Sequence, residues 1–286
     1  MKNETGFISQ KQRALPIAMS CPLTARMLMA IAWVLLPYLW FGVARSAEPS
    51  GNVNGNATNV PTVPLVGCRA DGEMSPAKSG PGQSLAVTPD PRTAALIAYY
   101  RAAHGPGVYA PKGWDCLSLE GSNGIILVVT PRRIPPPYFP LPVITGPAVT
   151  IQSSDAGSSG RFHVAVVAAQ VFPVVGADFI ARIRDEHLIA DSSFEAESYP
   201  DDQLQYLSDR LVEFFTPPNH TGLGTEGLFE MSDLPTRGLI ILNLQDEANS
   251  LTELRVRLPP GLNSVAAAII QLETICLQLH GRCRAD

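Results

Sequence analysis

An uncharged apolar stretch near the N-terminus limits which part of the chain can form a globular domain. Residues 27–43 read MLMAIAWVLLPYLWFGV and would span roughly 26 Å as a helix. That length is short for a membrane span and long for the apolar region of a signal peptide. The preceding flank is basic, with Lys2, Lys11, Arg13 and Arg26 against Glu4. Because positive charge stays on the cytoplasmic side, we expect residues 48–286 to be translocated across a membrane, out of the cytoplasm.

The residues after the apolar stretch bear on whether it is removed. Ala44, Ser46 and Ala47 are small and suit cleavage by signal peptidase. We therefore predict that residues 1–47 are an export signal, and that the mature protein is periplasmic or secreted. The alternative is an uncleaved N-terminal anchor in the inner membrane, with residues 48–286 outside the cytoplasm. Membrane contact is expected only through residues 27–43, and only in that second case.

The part of the chain expected to be exported is acidic. Residues 1–47 hold five basic side chains and one acidic side chain, so residues 48–286 hold 16 basic and 25 acidic ones and a net charge of −9. A nucleic-acid partner requires a basic surface, and we expect none here. The acidic residues are scattered along the chain, which is typical of a solvated surface.

Composition divides the exported part in two. Residues 48–89 are rich in Asn, Gly, Pro and Thr, contain Cys68, and predict a flexible tether. The folded region is expected to begin at Asp90, a good N-cap that precedes Pro91. Its first helix is expected to run to about His104. Residues 90–286 are then predicted to form a single domain.

The pattern of that domain predicts the α+β class. Strands are expected at 116–119 and 125–130, which form a hairpin, and at 148–152, 203–216, 239–244 and 251–258. Helices are expected at 162–171, for which a strand is the alternative, at 177–187, and after Gly261. The last helix carries an apolar stripe of Val265, Ile269, Leu272, Cys276 and Leu279. Strands that come in runs favour a mainly antiparallel sheet of about six strands with helices packed on it.

Several short motifs resemble a group of uncharacterised exported bacterial proteins, and they cover most of residues 66–260. The motifs are Val66-Gly67-Cys68, Ala98-Tyr99-Tyr100, Gly107-Val108, Ala110-Pro111-Lys112-Gly113-Trp114 with Cys116, Gly160-Arg161-Phe162, Val212-Glu213-Phe214, Gly222-Leu223-Gly224-Thr225 and Arg257-Leu258-Pro259. This resemblance implies export and carries no chemistry. The order of elements is also similar to the αβα sandwich of the extrinsic oxygen-evolving subunit family, whose members are small non-catalytic partners of membrane complexes.

Two short segments are candidates for a site. Ser158-Ser159-Gly160 lies beside His163, as a nucleophile and base would, although short Ser/Gly runs are usually turns. A second segment follows a predicted strand, and its glycines would let backbone N–H groups approach an anion. It lacks the Lys of a phosphate loop, and a glycine-rich connection explains it equally well. We take it as the candidate binding loop, with Asn219, His220, Gly222 and Gly224.

We assign no catalytic residue, cofactor or metal ligand from the sequence. Cys276, His280 and Cys283 have a spacing that zinc could use, but a fourth ligand is missing and export favours oxidised thiols. Trp114 and the pair Tyr99-Tyr100 could line a ligand groove, but core positions are the commoner role of such residues.

The exported part has four cysteines, which allow three pairings. We predict Cys68–Cys116, because this bond would pin an irregular segment to the start of a strand. We also predict Cys276–Cys283, which requires the last helix to end near Gly281 because disulfide Cα atoms lie within about 7 Å. The alternative for Cys276 is a free thiol in the core.

Together these features predict a non-enzymatic binding or accessory domain in the cell envelope, whose partner is an envelope protein or a small ligand. The alternative is an exported hydrolase with a dispersed Ser/His/Asp site, because such triads assemble in space. A pocket in which His163 or His220 lies within about 3 Å of a Ser, Cys or carboxylate would favour the enzyme.

Overall fold

The computed structural model describes residues 62–71, 84–86, 90–136, 142–194, 199–244 and 250–280. The predicted export signal, residues 1–47, lies outside the described residues, as does the start of the predicted tether. All described residues belong to one unit, Asn56–Asp286.

Twelve strands are present in the described part of the chain, and they form two sheets. In chain order they are β1 (Thr62–Gly67), β2 (Arg69–Asp71), β3 (Ser84–Ala86), β4 (Ile97–Arg101), β5 (Val108–Pro111), β6 (Asp115–Gly121), β7 (Gly124–Thr130), β8 (Ala148–Asp155), β9 (Gln203–Tyr206), β10 (Leu211–Thr216), β11 (Thr236–Asn243) and β12 (Ser250–Arg257).

The larger sheet has eight strands in the order β2-β6-β7-β8-β12-β11-β10-β9. Its neighbours pair antiparallel, except for the parallel pair β2 and β6. The smaller sheet has the order β3-β1-β4-β5, with β1 and β4 parallel and the other pairs antiparallel. The predicted α+β class with a mainly antiparallel sheet is confirmed, but the main sheet has eight strands rather than about six.

Helices lie on both faces of the large sheet. They are α1 (Pro91–Leu96), α2 (Arg161–Val171), α3 (Ala177–Asp185) and α4 (Asn263–His280), with short 3-10 helices at Asp191–Phe194, Leu223–Thr225 and Pro260–Leu262. Side chains alternate between the two faces of a strand. Along β11, Ile240 and Leu242 pack with α2 and α3, whereas Leu239 packs with α4 and the small sheet. This alternation explains why both faces of the sheet are covered.

The predicted helix from Asp90 to about His104 is wrong beyond its first turn and a half. Asp90 does cap α1, and its carboxylate accepts hydrogen bonds from the backbone N–H groups of Arg92 and Thr93. The chain then continues as β4, whose Tyr99 and Tyr100 are fully buried. A strand that is buried on both sides has no polar positions to mark a period of two, so its sequence resembles a buried helix.

Two further differences concern strand limits. The single strand expected at 203–216 is instead the hairpin of β9 and β10, in which Leu207 and Ser208 both donate backbone hydrogen bonds to the carbonyl of Leu211. The folded part also begins before the predicted boundary at Asp90. β1 pairs with β4 and β2 pairs with β6, and Val63 and Cys68 are buried in the core.

The C-terminal helix has the composition of a membrane span. Residues Pro260–Gln278 are long and apolar enough to cross a membrane. In the fold, the stripe that includes Val265, Ile269 and Leu272 is buried against the sheets. This burial is the packing that the spacing of the stripe predicts.

Candidate functional site

The central strand β12 carries three charged residues on one face. Glu253, Arg255 and Arg257 occupy alternate positions and are each at most 1% exposed. The positions between them, such as Leu254 and Val256, face the opposite core. Buried charges are costly unless they are paired and hydrogen-bonded, so the partners of these three side chains define the site.

Glu253 is held by two basic side chains. Nε2 of His163, on the first turn of α2, lies 2.5 Å from its Oε2, and Nη2 of Arg255 donates to its Oε1 at 2.8 Å. Burial alone would raise the pKa of Glu253, but the charges and hydrogen bonds of Arg255 and His163 outweigh burial and lower this pKa to about 2. Burial would likewise lower the pKa of His163, but Glu253 outweighs it and raises that pKa. Each of the two residues therefore favours the charged form of the other.

A second carboxyl, that of Glu226, borders the same arginine. Its Oε2 lies 3.7 Å from Nη2 of Arg255, and its Oε1 accepts a hydrogen bond from the hydroxyl of Tyr199 at 2.8 Å. Burial raises the pKa of Glu226, and the nearby charge of Glu253 adds to this rise despite the opposing effect of Arg255. Glu226 is thus the carboxyl of the cluster that takes up a proton most readily.

Arg257 has no carboxylate partner among the described residues and is held by neutral oxygens. It donates to Oγ1 of Thr236 at 2.9 Å, to the carbonyl of Ile144 at 3.2 Å and to the carbonyl of Gly224 at 3.2 Å. Its guanidinium lies 4.5 Å from the centre of the Phe229 ring. Burial lowers the pKa of Arg257 to about 10, so it remains charged and ties the segments around Ile144 and Gly224 to the sheet.

The candidate binding loop lies against this cluster. Its carbonyls at Leu223 and Gly224 accept hydrogen bonds from Arg255 and Arg257. Its N–H groups are engaged within the fold: Gly222 donates to Oγ1 of Thr225, Leu223 donates to the carboxylate of Asp202, and Gly224 donates to Oγ1 of Thr216. These bonds favour the structural interpretation, in which the loop supplies neutral acceptors to buried arginines. Its predicted role in ligand binding stays a prediction.

The glycine at position 224 has a steric cause. A Cβ atom there would lie 2.6 Å from Cβ of Thr236 and 2.8 Å from Oγ1 of Thr216. The loop can therefore approach the strands β10 and β11 only with glycine at this position. Asn219, at the start of the loop, has a left-handed backbone with a φ of 60°.

The two histidines named as possible bases both contact carboxylates. Besides the His163–Glu253 pair, Nδ1 of His220 lies 2.9 Å from Oδ2 of Asp201 at an exposed position. The hydroxyl of Ser158 donates to the carbonyl of Asp155, and that of Ser159 to the side chain of Asn123. The structure therefore does not bring these serines to His163, and Ser158-Ser159-Gly160 serves as a turn.

A cavity of about 340 Å³ opens next to the charge cluster. The turn between β6 and β7 forms one wall, and Gln152, Gly227 and Leu228 form another. Gly227 also borders Arg255, whose Nη1 would lie 3.9 Å from a Cβ at that glycine. The volume is within the range of small-ligand pockets, which combine apolar walls with a few polar groups.

A third buried carboxyl lies in the core on the other side of the sheet. Oε1 of Glu273, on α4, accepts a hydrogen bond from the backbone N–H of Tyr109 at 2.8 Å. Burial raises the pKa of Glu273 to about 8 and that of Tyr109 to about 12, the latter with a contribution from Glu273. The Glu273 carboxyl is therefore largely protonated near neutral pH.

The predicted cysteine pairing Cys68–Cys116 is present, with Cα atoms 5.2 Å apart. Tyr100 is fully buried, and Trp114 packs against the same core. The backbone N–H of Trp114 donates to the hydroxyl of Tyr100. These aromatic residues thus belong to the core rather than to a ligand groove.

The described residues include only one of the two cysteines of the predicted C-terminal disulfide. Cys276 is disulfide-bonded, so it is neither a free thiol nor a thiolate that could bind zinc. Cys283 lies outside the described residues, and the pairing Cys276–Cys283 stays a prediction. Among the residues that the structure describes, no group of three His, Cys, Asp or Glu side chains could hold a metal ion.

Sequence reasoning missed the charged face of β12, although its signal is visible. Glu253, Arg255 and Arg257 alternate with apolar residues, and such alternation usually marks a solvated strand face. Only the central place of β12 in the sheet turns this pattern into a buried site.

Comparison with models of protein families found no match for the chain, and comparisons with curated proteins and with solved structures found no significant match. The resemblances to exported bacterial proteins and to the extrinsic oxygen-evolving subunit family therefore stay predictions.

Proposed function

We propose that this chain is an exported protein of the cell envelope whose folded part is a non-enzymatic binding or accessory domain. The observation that carries the proposal is the Cys68–Cys116 disulfide. Such bonds persist in oxidising compartments and are rare in the cytosol. The apolar residues 27–43 and the basic flank before them support the same location.

The binding role is supported by the cavity beside the charge cluster. Its apolar walls include Leu119, Ile126 and Leu228, and its polar edge includes Gln152. The carboxyl of Glu120, which lines the cavity and whose oxygens have no hydrogen-bond partner in the described structure, disfavours an anionic ligand. A small, non-anionic molecule with an apolar body and a group that donates a hydrogen bond fits these walls.

Export is tested by trapping thiols in intact cells that express the full chain. Alkylation before lysis should leave Cys68 and Cys116 unmodified, and non-reducing peptide mapping should recover them as one linked peptide. N-terminal sequencing of the envelope fraction should begin at Ala47 or Glu48. A protein recovered from the cytosol with both thiols alkylated would refute the proposed location.

Binding is tested with a pair of matched variants. Gly121 lines the cavity and Gly146 does not, and a Cβ at either glycine meets no atom within 4 Å. Gly121→Trp should therefore block the cavity, and Gly146→Trp should leave it open. A neutral compound that raises the melting temperature of the wild type and of Gly146→Trp, but not of Gly121→Trp, is the expected result. Equal shifts in all three proteins would place binding elsewhere.

The hydrolase is retained as a second candidate because His163 is oriented by Glu253, as a general base often is by a carboxylate. A fluorophosphonate probe distinguishes the two functions. Covalent labelling of a serine, lost in His163→Ala, would support the hydrolase. No labelling of the oxidised, folded protein is expected for a binding domain.

A further inference from the structure

The two edges of the large sheet differ in how they are protected. β2, at one edge, is three residues long and carries Arg69 and Asp71, and Arg69 forms an ion pair with Asp115 at 2.8 Å. Charges and short length are the usual means by which proteins prevent an edge strand from pairing with another chain. β9, at the other edge, has the uncharged sequence Gln203–Tyr206, and all four residues are exposed.

Within the part of the chain that the structure describes, β9 pairs with β10 alone. In an antiparallel pair, every second residue directs its N–H and C=O away from the partner strand. β9 therefore presents backbone donors and acceptors to solvent, without a proline or a charge within the strand.

Apolar side chains accompany this open backbone on one face. Leu204 is 41% exposed and Tyr206 is 54% exposed. They lie opposite Phe214 and Val212 of β10, and the Tyr206 hydroxyl donates to the carbonyl of Val171 at the end of α2. The two side chains form an apolar ledge along this edge, and the hydrogen bond to Val171 fixes the side chain of Tyr206.

A groove of about 410 Å³ follows the strand as well. It is lined by Gln203, Gln205, Glu213, Phe215 and Arg237, among others. The guanidinium of Arg237 lies 5.4 Å from the centre of the Phe215 ring. A strand added to β9 would place alternate side chains in this groove and on the ledge of Leu204 and Tyr206.

The charges at the ends of β9 indicate which strand fits. Asp201 precedes β9 and Asp209 follows it, with side chains 51% and 70% exposed; Asp201 also lies 2.9 Å from Nδ1 of His220, and Asp209 lies 4.0 Å from Nε of Arg210. A second copy of the chain, paired antiparallel through β9, would bring Asp201 of one copy toward Asp209 of the other, and like charges across strands are destabilising. An edge about 14 Å long also offers far less contact than a stable dimer needs. The length of the edge favours a short peptide over a second copy of the chain. The acidic residues near the two ends of β9 favour basic residues at the ends of that peptide.

We propose that β9 is a peptide-binding edge, which takes a segment with alternating apolar residues and basic ends as an added strand of the large sheet. The inference rests on the proposed binding function and names a second kind of partner for it. The mode of recognition is strand addition, in which main-chain hydrogen bonds give affinity and alternate side chains give selectivity.

The test uses the full-length, oxidised protein and a fluorescent, end-capped peptide, KVTVTVK, in an anisotropy titration up to 1 mM. The valines of this probe supply the alternating apolar residues, and its two lysines supply the basic ends. Amide hydrogen exchange should show new protection within 203–206. A peptide with methylated amides at alternate residues cannot pair as a strand, and its binding should be lost. The acid-ended peptide EVTVTVE should bind at least tenfold more weakly.

Two variants provide matched controls. Leu204→Lys puts a charge on the edge and should weaken binding at least tenfold. Val143→Lys changes another exposed apolar residue, 61% exposed and next to Ile144, which packs with β6 and β7, and should bind like the wild type.

Three outcomes would overturn the inference: no binding of KVTVTVK up to 1 mM, equal binding by both variants, or a wild-type dimer that Leu204→Lys dissociates. The last outcome would assign the edge to a second copy. The assay is independent of cellular location and of the cavity, so its failure leaves the results of the export and cavity experiments standing.

Discussion

The buried carboxyl of Glu273 should make the stability of this protein depend on pH in a direction opposite to that of common salt-bridged acids. Its pKa is raised by burial from an ordinary value of 4.5 to about 8. Between these two values the folded state holds a proton that the unfolded state releases. The contribution of Glu273 to the free energy of unfolding is therefore fully present below about pH 4.5 and is lost as the pH rises toward 8.

The magnitude follows from the separation of the two pKa values. Each pH unit between them costs about 1.4 kcal/mol, which sums to on the order of 5 kcal/mol between pH 4.5 and 8. His163 and Glu226 also have raised pKa values and act in the same direction. Glu253, with its pKa near 2, acts only in more acidic solution.

The assay is urea unfolding of the oxidised protein at pH 5, 6, 7 and 8, with the free energy of unfolding extrapolated to water. The wild type should lose stability at each step. Glu273→Gln keeps an oxygen that can accept from the N–H of Tyr109 and cannot ionise, so most of this loss should disappear. Glu230→Gln, at an exposed position, is the matched control and should follow the wild type. A Glu273→Gln variant with the full wild-type slope would refute the reasoning.

Three further predictions concern the core. Replacing Cys68 and Cys116 together with Ala opens a loop of 48 residues and should cost roughly 4 kcal/mol in urea unfolding; an unchanged midpoint would contradict the bracing role. Arg255→Met leaves the buried Glu253 without one of its two basic partners and should cost about 3–5 kcal/mol at pH 7, and a loss below 1 kcal/mol would contradict the pairing of Arg255 with Glu253. The buried hydroxyl of Thr150 has no partner in the described structure, so Thr150→Val should raise stability by about 1 kcal/mol, whereas a loss would indicate a bound water.

Local patterns were sufficient for the elements that have one buried side. The hairpin of β6 and β7 was predicted because apolar runs flank a short polar turn at Ser122-Asn123. The helix α4 was predicted because apolar residues such as Val265, Ile269 and Leu272 recur at helical spacing. In both cases the spacing of apolar residues along the sequence shows which side of the element faces the core.

Elements whose role depends on distant residues were not predictable in this way. β4 is enclosed between β1 and β5, so its residues lack a polar face that would show the period of a strand. The charged face of β12 is acceptable only because His163, which lies 90 residues earlier, and the carbonyl of Leu223 reach it. A single sequence does not show which residues meet across such separations.

The position of β12 at the centre of the sheet has a consequence for the order in which the protein can fold. The chain emerges N-terminus first, and β6, β7 and β8 are joined by local antiparallel pairings, so this part can pair early. β8 and β11 are both completed only by β12, which follows every other strand of this sheet in the sequence. Until then, both strands present open edges that invite aggregation.

We therefore expect a nascent chain of this protein to need protection from other chains until β12 has been synthesised. Once formed, the Cys68–Cys116 bond can hold the N-terminal strands together. It cannot cover the open edges of β8 and β11. The two halves of the large sheet are joined only by β12, and truncated chains that end before Ser250 should accumulate as insoluble protein rather than as a smaller stable domain.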